Sequence, residues 1–268
     1  HLRTSLWLSL FTLSLCLQLR AEIPWEENRS RGEDLSIRLV TFGPGEEITT
    51  FFGHTGIIVE DRKHGISRLY NFGLFSIEKN FIYNFAQGRL IFWAGDGRVG
   101  PSILRYVRED RDVYIQNLNL PPEKRLKVAE QLAWWVLPEN SSYLYHHYTN
   151  NCATIPRDIL NEAVDGALRH FTNVPSEMTY RDFTMRYTVR QPALMILLMF
   201  LMNDSIDKSI TKWEDMFLPL ELKENVADLM LTDSTGAVYP FVESEIQHYE
   251  SSKTPPPDEV PSFFGFML

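Results

Sequence analysis

The residue with the clearest chemical potential in this sequence is a cysteine that directly follows two asparagines. Cys152 is one of 2 cysteines, and the other, Cys16, lies in an apolar N-terminal stretch. A thiol attacks carbonyl carbon as thiolate, which an imidazole or a helix N-terminus favours. Asn150 and Asn151 are residues preferred at helix starts. We therefore expect Cys152 to be a nucleophile at a helix start, with a lowered pKa, whose free amides bind the oxyanion.

A histidine placed before the cysteine in the chain is the candidate base. His54 opens an apolar run over 54–61 that predicts a strand, which would hold the imidazole rigidly. A hairpin after this strand brings residues 70–72 opposite His54. Among them Asn71 is the side chain best able to orient the imidazole, and Tyr70 is the alternative. The sequence thus predicts a catalytic group of thiol, imidazole and amide.

The elements that must position these residues are strands in the first half and helices in the second. The resulting fold class is α+β, with a small antiparallel β-sheet packed by helices. The pattern over residues 77–85 fits either a helix or a loop. Periodicity and Gly/Pro punctuation predict strands over 35–42, 55–59, 67–72, 89–94 and 112–117, and helices over 122–136, 158–170, 179–190, 193–202 and 218–231.

The composition along the chain predicts three segments. Residues 1–21 have the basic start and apolar stretch of a signal peptide, with a retained N-terminal anchor as the alternative. Residues 22–232 form the main domain, β-rich over 35–117 and helical over 121–232. Residues 233–268 are predicted to be a linker and an apolar tail. These features predict an exported protein associated with a membrane.

The charge balance excludes one class of partner. The net charge is -9 and the pI about 5.3, with no cluster of Lys and Arg, so nucleic acid is not an expected partner. A zinc site formed by His146, His147 and Cys152 is disfavoured, because adjacent histidines point apart and no further ligand stands at suitable spacing. We expect neither a metal nor another cofactor.

Several separated motifs resemble known families. His54–Asp61 and Asn151-Cys152 are similar to the two catalytic segments of circularly permuted papain-like thiol enzymes of the lecithin:retinol acyltransferase-like group. A broader resemblance, over most of 35–232, is to the Lnb N-terminal periplasmic domain family of bacterial envelope proteins. It rests on Phe52–Thr55, Tyr70–Phe75, Tyr145–Tyr148 with Asn150–Thr154, Arg157-Asp158 and Phe217–Pro219.

The resemblance implies a cysteine-dependent acyltransferase located in the periplasm. The acyl donor would be a phospholipid or a lipoprotein, and the group would pass through a thioester on Cys152 to the N-terminal amine of a lipoprotein. It also implies a permuted papain-like core with an additional C-terminal helical region. Residues expected to bind substrate or support the site are Tyr70, Tyr145, Tyr148, Asn151, Arg157 and Asp158.

Two other functions remain open from the residues alone. With water as acceptor, the same thiol chemistry gives a cysteine peptidase, an amidase or a thioesterase. A lone cysteine is also commonly a small buried apolar residue, and a lone histidine a structural one. The chain would then be a non-catalytic binding module of the envelope.

Overall fold

The chain folds around one antiparallel sheet, as described by a computed structural model for residues 23–76, 83–84 and 87–260. Its 7 strands lie in the order β6-β4-β3-β2-β1-β5-β9, and a second sheet pairs β7 with β8. The strands are β1 (Leu35–Phe42), β2 (His54–Asp61), β3 (Ile66–Leu74), β4 (Ile91–Arg98), β5 (Val113–Leu118), β6 (Ser142–Leu144), β7 (Met230–Thr232), β8 (Val238–Pro240) and β9 (Val242–Tyr249).

Helices cover both faces of the main sheet, and the predicted α+β class is confirmed. The described helices are α1 (Val99–Arg108), α2 (Pro122–Trp135), α3 (Thr154–Ala163), α4 (Ala167–Thr172), α5 (Tyr180–Thr188), α6 (Pro192–Leu201), α7 (Lys212–Asp215) and α8 (Pro219–Asp228).

The core sits on the two faces because strand side chains alternate. Leu39 of β1 and Ile57 of β2 are buried on the face that packs against α2, α3 and α8. Phe42 and Ile58 of the same strands are buried on the opposite face, together with Ile103 of α1. Burial on both faces explains why the central strands read as apolar runs in the sequence.

Two of the predicted helices differ from the observed ones. The helix predicted over 158–170 begins at Thr154 and is divided into α3 and α4. Gly166, between them, has a φ of 87°, a left-handed conformation that terminates a helix. The helix predicted over 218–231 ends at Asp228, and the chain continues into β7.

Strand β9 lies in the segment that was assigned to the linker and tail. It pairs with β5 from Val113↔Tyr249 to Leu118↔Val242 and forms one edge of the main sheet. Its side chains are mostly polar and exposed, so the segment carries little of the apolar alternation that signals a strand.

Three sequence-based expectations fall outside the described residues. These are the leader over 1–21, most of the segment 77–85 and the apolar end of the tail, 261–268. Within the described part, no helix combines the length and the hydrophobicity that a bilayer span requires.

Candidate active site

Asn151 fixes the position of the candidate nucleophile at the start of α3. Its Oδ1 accepts the backbone N–H groups of Ala153 at 2.8 Å and Thr154 at 2.9 Å, as expected of a capping side chain. Its Nδ2 donates to the carbonyl oxygens of His147 at 2.6 Å and Phe217 at 3.0 Å. Cys152 is therefore held between a capped helix and an anchored loop.

This capping changes the expectation for the oxyanion. The amides of Ala153 and Thr154 already donate to Asn151, and Ile155 N–H donates to the Asn151 carbonyl. The prediction that the amides of the helix start serve the oxyanion is wrong for these three. Of the predicted set only the Cys152 N–H is not engaged by Asn151.

His54 is the first residue of β2, and its partner is Asn71 on β3. His54 Nε2 lies 3.0 Å from Asn71 Oδ1, which also accepts Gly73 N–H at 2.8 Å. Because an amide oxygen only accepts, the ring proton is on Nε2. The Nδ1 lone pair of His54 is thereby left to accept a proton from another group.

The strand register places Gly73, not residues 70–72, beside His54. Gly56 pairs with Asn71, so two further steps along the antiparallel ladder bring Gly73 level with His54. A Cβ on Gly73 would lie 2.7 Å from His54 Cε1 and 3.3 Å from Nδ1. The imidazole thus lies against a position where no side chain fits, a requirement that the sequence analysis missed.

Thiol and imidazole both lie near the beginning of β2. Cys152 and His54 line the same cavity. The backbone N–H of Thr55, the next residue after His54, donates a hydrogen bond to the Cys152 thiol, as does the Cys152 N–H. The two candidate residues, 98 positions apart in sequence, are therefore neighbours in the fold.

Burial keeps both members of this pair neutral. It raises the pKa of Cys152 to about 11, against the lowering effect of the Thr55 hydrogen bond and of Arg111. It lowers the pKa of His54 to about 3, with Arg111 acting in the same direction and the bond to Asn71 opposing it. The expected lowering of the thiol pKa is wrong, because loss of hydration outweighs the favourable contacts.

The cavity next to the pair is predominantly apolar. It has a volume of about 200 Å³ and lies between the strand ends, the loop before β2 and helix α6. Its lining residues are Ile48, Thr49, Phe52, Gly53, His54, Gly73, Phe75, Leu90, Phe92, Tyr145, His147, Asn151, Cys152, Leu194, Leu197, Leu198, Met202, Phe217 and Pro219. Such a lining suits a hydrocarbon chain with one reactive polar end.

A second histidine faces this cavity from the loop before α3. His147 Nδ1 lies 3.1 Å from the Tyr145 hydroxyl, and burial lowers the His147 pKa to about 3. Either atom can be the donor in this contact. With the Tyr145 hydroxyl as donor, the ring proton of His147 is on Nε2, which no acceptor among the described residues engages.

The other predicted site residues lie away from the cavity lining. Tyr70 is buried on the opposite strand face from Asn71, because neighbouring side chains alternate, and its hydroxyl accepts Trp25 Nε1 at 2.8 Å. Tyr148 is hydrogen-bonded to Thr184 in a separate aromatic cluster. Neither lines the cavity, in contrast to Tyr145.

Arg157 and Asp158 form an ion pair on α3 that is also outside the cavity lining. Arg157 Nε donates to Asp158 Oδ1 at 2.9 Å and Nη1 donates to the Trp213 carbonyl at 2.8 Å. The Arg157 guanidinium also lies 4.0 Å from the centre of the Trp213 ring. These contacts join α3 to α7 and give the pair a role in packing.

Metal binding has no visible basis in the described ranges, which contain no group of three or more His, Cys, Asp or Glu able to hold an ion. His146 Nδ1 accepts the backbone N–H groups of Tyr148 and Thr149, both at 3.3 Å.

Comparison with known proteins agrees with the family suggested by the motifs. No curated protein and no solved structure matches the chain. The family model described as the Lnb N-terminal periplasmic domain matches residues 22–191. This range includes His54, Asn71, His147 and Cys152. The chain therefore belongs to the Lnb N-terminal periplasmic domain family.

Proposed function

We propose that this protein is a thiol acyltransferase of the bacterial envelope, with Cys152 as nucleophile and His54 as base. The observation that carries the proposal is that His54, hydrogen-bonded to Asn71, lines the same apolar cavity as the Cys152 thiol. The proposed order of thiol, imidazole and amide is similar to the catalytic arrangement of papain-like enzymes, with histidine before cysteine in this chain.

In the first step the thiol attacks the ester carbonyl of an acyl donor. Because thiol and imidazole are both neutral at rest, the Cys152 proton passes to His54 Nδ1 as the S–C bond forms. Collapse of the tetrahedral intermediate breaks the ester C–O bond. His54 returns the proton to the departing alcohol, and the acyl group remains on Cys152 as a thioester.

The oxyanion of this intermediate needs hydrogen-bond donors. We assign the His147 Nε2–H and the Cys152 N–H to this role, because the next three amides are engaged by Asn151 and the Cys152 N–H is bonded at rest to its own thiol. Tyr145 holds the His147 tautomer through Nδ1. A neutral imidazole fixed in this way donates without requiring a charge in an apolar site.

In the second step an amine takes the acyl group. The amine nitrogen attacks the thioester carbonyl, the C–S bond breaks, and His54 transfers the amine proton to the departing sulfur. The apolar lining around Cys152 supports a fatty acyl chain as the transferred group. We propose lipoproteins as acceptors and phospholipid or another lipoprotein as donor, and the periplasmic location given by the family agrees with such partners.

The test is genetic complementation in cells that depend on this protein for lipoprotein N-acylation. Cys152→Ser and His54→Ala are expected to abolish N-acylation at unchanged protein level. His170→Ala, at an exposed position of α4, is the matched control and should retain it. Normal N-acylation in cells that carry either active-site variant would end the proposal.

A further inference from the structure

Helix α6 has an unusual surface for a helix at the outside of a domain. None of its 10 residues, Pro192–Leu201, has a polar side chain. Met195 and Leu198 point inward and are buried. The exposed residues Ala193, Ile196, Leu197 and Phe200 recur at the spacing of one helix face. The outward face is therefore apolar where a surface helix is ordinarily polar.

The exposure of this face is large. Phe200 is 83% exposed, Ile196 55% and Leu197 46%. Ile48, in the loop before β2, is 59% exposed. Leu197 and Ile48 also line the cavity that contains Cys152. The apolar surface and the apolar cavity are thus continuous through these two exposed lining residues.

We propose that α6 and Ile48 form a surface that inserts into the headgroup region of a lipid bilayer, so that an acyl chain enters the cavity directly from the membrane. The proposal rests on the function proposed above, which requires an acyl chain at Cys152. A bilayer is preferred over a protein partner because the surface leads into a cavity suited to hydrocarbon.

The dimensions and charges define the mode of insertion. Ten helical residues span about 15 Å, too short to cross a bilayer and suited to lying in its surface. The chain has a net charge of -9, so attraction to anionic lipids is not the driving force. Binding should therefore depend on apolar contact, tolerate salt and occur on uncharged lipid.

The experiment measures co-sedimentation of the full chain with phosphatidylcholine vesicles. The variant Ile196→Asp/Phe200→Asp alters the exposed face without changing a cavity-lining residue. We expect its vesicle partition coefficient to fall about tenfold or more, because two charges replace inserted apolar side chains. Val238→Asp/Ile246→Asp, at positions 64% and 56% exposed on β8 and β9, is the matched control and should bind as wild type does.

A milder variant and a change of salt concentration test whether apolar contact drives the binding. The milder variant Ile196→Ser/Phe200→Ser should also reduce binding, and both α6 variants should keep the wild-type thermal midpoint and rate of Cys152 alkylation. Salt raised to about 0.5 M, where charge attraction is largely screened, should leave wild-type binding unchanged. Binding that is lost in salt, or is equal in the α6 variants and the control, overturns the proposal.

A second copy of the chain is the other occupant that the test detects. If wild type sediments as a concentration-dependent dimer, fails to bind vesicles and becomes monomeric in the α6 variants, the surface is a protein interface and the proposal is wrong. The outcome is separable from the proposed function. Vesicle binding without acylation of Cys152 would support the membrane surface and contradict the proposed enzyme function. Acylation without vesicle binding would support the enzyme function and contradict the membrane surface.

Discussion

Two histidines face the same cavity from different regions, and their different partners underlie the opposite roles proposed for them. His54, on the end of a strand, has Nε2 engaged by Asn71. His147, in the loop before α3, has Nδ1 engaged by Tyr145. Burial lowers the pKa of both to about 3. Their difference therefore lies in which nitrogen is engaged. With Tyr145 as donor to His147, one ring keeps a free lone pair and the other a free N–H.

The supports of the two rings differ as well. The strand that holds His54 is paired on both sides, with β1 and β3. The loop that holds His147 is fixed by Asn151, which also caps α3. The sheet thus positions the proposed base, and Asn151 positions both the proposed oxyanion donor and the proposed nucleophile.

Removal of the lone pair should have the largest effect. His54→Ala is expected to lower the rate of Cys152 acylation by about 10²–10⁴-fold, the usual contribution of a general base. The measurement is single-turnover acylation with a soluble ester, so that membrane binding does not enter. A rate within a few-fold of that of His170→Ala would contradict the assignment of His54.

Removal of the N–H from the second ring should be the next largest change. His147→Ala is expected to lower the same rate by about 10²–10³-fold, as for loss of one oxyanion donor. His147→Gln keeps an N–H at this position and should recover part of the loss. A pair of equally inactive Ala and Gln variants, both folded, would indicate that His147 acts only in packing.

The position of the first ring can be disturbed without altering the ring itself. Gly73→Ala puts a methyl group 2.7 Å from His54 Cε1, so the imidazole must move, and we expect a rate loss of about 10²-fold from misplacement. Gly100→Ala is the control, because no atom lies within 4 Å of its Cβ position. Unchanged acylation by Gly73→Ala would show that the ring position is not critical.

The smallest expected difference between wild type and His54→Ala is in the pH dependence of Cys152 alkylation in the absence of substrate. The thiol pKa is raised to about 11, so the thiolate fraction and the rate of iodoacetamide alkylation should rise about tenfold per pH unit between pH 6 and 10. Because the His54 pKa lies near 3, His54→Ala should have the same profile. A plateau at low pH that His54→Ala removes would indicate a thiolate–imidazolium pair instead.

The sequence predicted the parts of this site that depend on local pattern. The strand that opens with His54, the hairpin to Asn71 and the asparagine cap before Cys152 follow from alternation and turn chemistry. The contact between Asn71 and His54 is present, although the ladder places Gly73 beside the ring. An antiparallel register is difficult to derive to the residue, because loop geometry sets it.

Features that depend on distant parts of the chain were not predicted. The thiol pKa reflects burial in the completed fold, which the helix start alone does not reveal. The role proposed for His147 depends on the Tyr145 hydroxyl, and the exposure of α6 depends on which of its apolar faces the domain covers. Strand β9 is polar and becomes a strand through pairing with β5.

The most direct test of the account is the intact mass of the protein after incubation with a phospholipid donor in the absence of an amine acceptor. We expect a mass increase equal to one fatty acyl group, located on Cys152, removed by neutral hydroxylamine and absent from Cys152→Ser. Transfer of that group to an added lipopeptide with a free N-terminal amine should restore the original mass. A folded protein that gains no acyl group, or loses it only to water, would contradict an acyltransferase centred on Cys152.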